Sequence, residues 1–151
     1  FGVVPKIALL SHSNFGSHDD ASSTKMRQAL ALVRCRAPEL EIEGEMHADT
    51  ALNEEVRERM FPNSRLKGKA NVFVCPNMDS ANIAFNITRT MTEGVVLGPI
   101  LMGISRPAHI LTPAATVRRV YNMTAIACVE AQIRDAMAEA SEAIAAAQVE
   151  R

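Results

Sequence analysis

The sequence predicts a layered α/β domain with a mostly parallel sheet, closed by a long C-terminal helix. Short apolar runs alternate with stretches of helical periodicity, and the runs end in loops carrying Gly, Asn or Pro. Residues 125–149 are rich in alanine and contain neither Gly nor Pro, which reads as one uninterrupted helix. At 151 residues and 48% apolar, the chain is the size of one ordinary domain and large enough to bury a core.

Lys6 to Leu10 is an apolar strand that runs into the polar loop Ser11 to Ser17. A helix follows from about Asp20 to Arg36. Asp19 or Asp20 caps it, Met26, Ala29, Leu30 and Val33 share one face, and Pro38 ends it. Leu40 to His47 alternates apolar and charged residues, the pattern of an edge strand with one wet face. Asp49 or Thr50 opens a charged helix through Met60, and Phe61 to Ser64 is a turn. Val72 to Cys75 reads as the clearest buried strand. Asp79 then caps a helix with Ile83, Ile87 and Met91 on one stripe, broken at Gly94. Val95 to Leu97 and Ala108 to Leu111 read as the last strands, with helix from Pro113 onward.

Composition excludes several classes of function. Sixteen basic and seventeen acidic residues leave a net charge of -1 without a single-sign block, so neither nucleic acid nor a membrane is an expected partner. No apolar run reaches the length of a membrane span and the N-terminus lacks the pattern of a signal peptide, so the expected location is the cytoplasm. Cys35, Cys75 and Cys128 lie outside any CxxC spacing, which argues against a disulfide scaffold or zinc site and favours buried thiols. His12, His18, His47 and His109 form no i,i+4 pair, and no metal is expected here. The chain opens at Phe1 without an initiator methionine, and is expected to be a piece of a longer polypeptide.

Ligands in open α/β sheets gather where strands end and helices begin, because amide donors are exposed there. Ser11, Ser13, Asn14 and Ser17 around Gly16 can present hydroxyls and amides to a phosphate or carbonyl, although without the lysine of a P-loop an ordinary polar loop is the alternative. Asn77 and Asn82 read equally well as residues that bond their own turn. Thr112 and Pro113 make a good helix entry on local grounds. Arg118 and Arg119 are different, since two cations near a helix N-terminus oppose its dipole unless an anion compensates. An anion pocket follows, with exposed arginines facing solvent or Glu93 as the alternative.

Two segments carry a family resemblance over nearly the whole chain. Asn71 to Asn77 followed by Ala81-Asn82-Ile83, and Gly98-Pro99-Ile100-Leu101-Met102-Gly103 leading to His109-Ile110-Leu111-Thr112-Pro113, resemble the C-terminal half of phosphate acetyl/butyryltransferases. The resemblance implies the isocitrate/isopropylmalate dehydrogenase-like three-layer sandwich of phosphotransacetylases. Residues 1–112 would form its second α/β lobe, and residues 113–151 a helix crossing back to the first. Where that family reads Leu-Ser-Arg-Gly and then Ser-Val-Glu-Asp, this chain has Thr112, Pro113 and Arg119, so the family's arginine is a proline and its acid an arginine. Arginine stays protonated at neutral pH and cannot act as a base.

The version with Leu111 to Arg119 and Asn122-Met123-Thr124-Ala125 resembles the C-terminal region of hybrid NADP-dependent malic enzymes. That implies NADP and a divalent metal, Mg or Mn, in an upstream oxidative decarboxylase, with no cofactor in this segment. It also implies acetyl-CoA or CoA as effector and homo-oligomerisation through this domain. On this reading Ser11, Ser13, Asn77, Asn82, Thr112, Arg118 and Arg119 line an inherited acetyl-CoA pocket, with no catalytic residue. An active phosphate acetyltransferase and a purely structural oligomerisation module are the alternatives.

Overall fold

The computed structural model describes residues 2–113 and 115–149. The chain divides into two compact units between Thr92 and Glu93.

The first unit is built on a parallel sheet of β1 (Lys6–Leu10), β2 (Glu41–Met46) and β3 (Val72–Val74) in the order β2-β1-β3. Strand alternation sends successive β1 side chains to opposite faces. Leu9 packs with Ile42 and with Met26 and Leu30 of α1 (Ala21–Arg36) on one side, flanked by Ile7, Ala29 and Val33. Ala8 packs with Met46, Ala51, Leu66 and Ala70 on the other. Helices therefore cover both faces, as parallel strands require. The helix face expected from the sequence is the one that packs, and Asp20 is its cap, joined with Ser23 in a capping box.

Several expectations need correction. The strand β2 lies at a sheet edge as expected, but it has no wet face: Glu43 and Glu45 are 1% and 0% exposed. Arg27 and Arg34, seven residues apart on one side of α1, reach those carboxylates and compensate their burial. The charged helix is two helices, α2 (Ala48–Leu52) and α3 (Glu54–Met60), because Asn53 is extended and caps the second with its side chain. The strand β3 is exposed rather than buried: it is an outermost strand of the sheet, and Val72, Phe73 and Val74 are each about 40% exposed. In α4 (Met78–Met91) the cap is Asn77, not Asp79, and the Ile83, Ile87 and Met91 stripe is uncovered. Cys35 and Cys128 are exposed rather than buried, and all three thiols are free.

In the second unit, residues 95–97 and 108–111 do not form strands, since among the described residues no neighbouring strand pairs with them there. The last helix, α5, spans Val117–Val149, four residues later than Pro113. Thr112 instead closes a turn through its carbonyl, which accepts from the Ala115 amide, and Thr116 Oγ1 accepts from the Arg119 amide at 3.3 Å as a cap does. Arg118 and Arg119 thus sit in the first turn, closer to the positive helix end than the sequence suggested.

Candidate functional site

The loop after β1 is organised around one buried carboxylate. Glu45 Oε1 accepts from Ser13 Oγ at 2.7 Å, from the Gly16 amide at 2.9 Å and from Arg27 Nη1 at 3.1 Å. Burial pushes the Glu45 carboxyl up, but the hydrogen bonds from Ser13 and Gly16 together with Arg27 outweigh it and hold it below the ordinary range. The remaining amides of the loop are also taken. Ser13 donates to Ser11 Oγ, Asn14 to Ser17 Oγ, Phe15 to the Glu45 carbonyl, Ser17 to the Asn14 carbonyl and His18 to Ser13 Oγ. Every amide from Ser13 to His18 is therefore satisfied inside the protein, and the loop is not a ready anion nest.

Ser11 and Ser13 lie together in this loop, Ser11 half-buried and Ser13 buried with its hydroxyl fully engaged. Asn77 and Asn82 lie together at the start of α4. Asn77 Oδ1 accepts from the Ser80 amide at 2.9 Å, and Asn82 Nδ2 donates to the Met78 carbonyl at 3.2 Å. Both make the local bonds that their residue types favour. Lys25 of α1 donates to the Pro76 carbonyl just before them.

Thr112, Arg118 and Arg119 belong to the second unit. Thr112 and Arg118 are exposed, and among the described residues no carboxylate pairs with either arginine. Arg119 directs Nε and Nη2 at the Gly98 carbonyl, at 3.1 and 2.6 Å. This forked grip holds the Gly98-Pro99 turn against the first turn of α5.

Two clefts of about 340 Å³, one in each unit, are lined by residues other than the predicted ligand-binding set. The first is walled by Phe15, Phe61, Leu30 and the Arg27 and Arg34 pairs with Glu45 and Glu43, the two rings stacked 4.4 Å apart. The second is lined by His109, Leu111, Met123, Thr124 and Cys128 with two alanines. Its His109 ring is 4% exposed and lies 3.2 Å from Glu130. Sequence reasoning passed over Glu45, Arg27 and the His109–Glu130 pair. The signal for the first two was present, since glutamates in a strand and arginines seven apart on a flanking helix can meet. Among the described residues no group of three His, Cys, Asp or Glu side chains could hold a metal ion, and no helix is long and apolar enough to cross a membrane.

The profile of the phosphate acetyl/butaryl transferase family matches residues 1–128. The chain belongs to that family. The NADP-dependent malic enzyme of Escherichia coli is 60% identical over 87% of this chain, which spans 18% of that protein's length. The phosphate acetyltransferase of Paracoccus denitrificans is 43% identical over 83% of the chain and 40% of its own length. Among solved structures, the EutD phosphotransacetylase from Staphylococcus aureus aligns with a TM-score of 0.79 at 34% identity, covering 86% of this chain and 41% of that one. The phosphotransacetylase from Streptococcus pyogenes aligns with a TM-score of 0.80 at 32% identity, over 85% of this chain and 39% of that one. This phosphate acetyl/butaryl transferase domain is thus a fraction of the length of each relative, and its three-stranded parallel sheet and long terminal helix are those of phosphotransacetylases.

Proposed function

We propose that this phosphate acetyl/butaryl transferase domain is the acetyl-CoA-sensing, oligomerising C-terminal part of an NADP-dependent malic enzyme, and that it does not transfer acetyl groups. The observation that carries the reading is Arg119. It stands where the resemblance places the transacetylases' acid, and its guanidinium grips the Gly98 carbonyl. Transfer of an acetyl group to a thiol needs a base, and a guanidinium cannot be one near neutral pH. What survives in the second unit is a set of exposed polar groups suited to binding, Arg118 and Thr112, together with the Gly98 turn clasped by Arg119. In the first unit, Ser11, Asn77 and Asn82 are proposed as a separate set of ligand contacts, with Ser13 holding Glu45. The malic enzyme relatives support a malic enzyme as the parent polypeptide.

Occupancy would be reported as a shift between conformations, with a coupling of about 1 to 3 kcal/mol. The test is titration calorimetry of acetyl-CoA into the full-length polypeptide. Binding is expected, and Arg119→Ala, which releases the Gly98 turn, is expected to weaken it about tenfold. Absence of binding, or indifference to Arg119→Ala, rejects the assignment. The second reading is an active phosphate acetyltransferase, favoured by the Paracoccus relative. Acetyl phosphate formed from acetyl-CoA and phosphate by the same preparation would establish it.

A further inference from the structure

Within the second unit, the cleft between the His109 segment and α5 has a composition that selects for one kind of ligand. Leu111, Met123 and two alanines make its walls apolar, while the Thr124 hydroxyl is already committed to the Val120 carbonyl at 2.9 Å. The polar features that remain are the Cys128 thiol, a weak donor, and His109. Its Nδ1 is the acceptor for the Leu101 amide at 3.4 Å, so the proton of the neutral ring sits on Nε2. That Nε2 is buried and, among the described residues, has no hydrogen-bond acceptor. Glu130 Oε2 lies 3.2 Å from it but off the direction of the N–H, so it supplies charge without a directed bond.

A buried donor in an apolar cleft calls for an acceptor from outside. Phosphate and carboxylate fit badly, because they need several donors or a cation and would face the Glu130 charge. An uncharged carbonyl on a short apolar group fits well. We propose that this cleft seats the acyl end of a thioester ligand and that His109 Nε2–H donates to its carbonyl oxygen, an inference that rests on the acetyl-CoA reading above. A volume of about 340 Å³ accommodates a small acyl group and part of the thiol-bearing arm behind it. Glu130 then acts as a filter against acyl groups that carry a negative charge.

The test uses the full-length polypeptide with acetyl-CoA labelled with carbon-13 at the thioester carbonyl, read by infrared difference spectroscopy beside calorimetry with acetyl-CoA and CoA. The bound carbonyl band is expected to fall in frequency relative to free ligand. Acetyl-CoA is expected to bind about fivefold more tightly than CoA, the worth of one hydrogen bond. In His109→Leu both the shift and the preference are expected to vanish while CoA affinity is unchanged, and His109→Gln, which keeps an N–H donor, is expected to restore part of each. The natural protein is expected to reject malonyl-CoA and Glu130→Gln to admit it. A bound carbonyl with an unshifted band overturns the inference but leaves acetyl-CoA sensing intact. So does a His109→Leu protein that keeps the shift and the preference. Failure of the natural protein to bind either acetyl-CoA or CoA removes the underlying reading as well. If His109→Leu does not fold, the band of the natural protein decides alone.

Discussion

Glu45 shows how a single side chain can organise a candidate site without being exposed in it. Its carboxylate joins the Ser13 hydroxyl, the Gly16 amide and the Arg27 guanidinium, so its ionised form is bonded in the fold and solvated in the unfolded chain. Because its pKa in the fold is lowered, the unfolded state binds more protons as the pH falls, and stability rises with pH through this range. The stabilisation is present above the ordinary glutamate pKa of about 4.3 and is lost as the pH drops through the lower folded value. Denaturant titrations of the natural protein and Glu45→Gln are expected to differ least at acid pH and most near neutrality. A constant gap across that range would assign the loss to packing. Beside it, Gly44 has φ 153°, and an added Cβ would stand 2.7 Å from both Leu9 Cβ and the Leu9 carbonyl oxygen. Those atoms belong to the paired strand β1 and cannot yield. Gly44→Ala is expected to lower stability by about 1 to 3 kcal/mol, measured by chemical denaturation.

Among elements, those whose signals are local were legible in the sequence. The helix α1, with its Asp20 cap and its Met26-Leu30 face, depends on neighbours three or four residues away and formed as read, and the strands β1, β2 and β3 also formed where their apolar patterns placed them. Where a reading turned on which distant partner is present, it was less secure. Residues 95–97 and 108–111 have the composition of strands, yet a strand exists only when another pairs with it, and composition does not name the partner. The β2 glutamates read as wet because the pairing arginines lie on another element. In the candidate site, residue types were legible but commitments were not: the Ser13 hydroxyl, the Asn77 amide and the Arg119 guanidinium all bond the protein itself. Asn77 gives the clearest test at this scale. Its side chain accepts from the Ser80 amide at 2.9 Å, and α4 buries none of its residues within its unit. Tertiary packing there does little to compensate a lost cap. Asn77→Ala is expected to cost about 1 kcal/mol of helix stability, visible as faster amide exchange in the first turn of α4, while Asn77→Asp keeps the protection.

At the scale of the molecule, the second unit ends in a 33-residue helix whose apolar residues are shown largely to solvent. Val117, Tyr121, Val129, Ile133, Met137 and Ile144 are each at least half exposed, while Met123 is buried. These residues point in several directions around the helix, so a single packed neighbour could not cover them all. An isolated helix gains little from propensity alone and draws its stability from a buried face, and apolar surface of this extent marks a missing partner. The family resemblance and the proposed oligomer would supply one: a preceding lobe to which α5 would cross back, and further copies of the domain that would associate through it. Hydrogen exchange can compare the 151-residue chain with the full-length polypeptide. Amides of α5 are expected to exchange markedly more slowly in the longer protein, with β1 and α1, which already bury their faces here, nearly unchanged. Adding acetyl-CoA is then expected to slow exchange further around Gly98 and the first turn of α5, where Arg119 clasps the Gly98 carbonyl. Equal exchange of α5 in both proteins would mean that the helix stands on its own, and the crossing arrangement would fall with it.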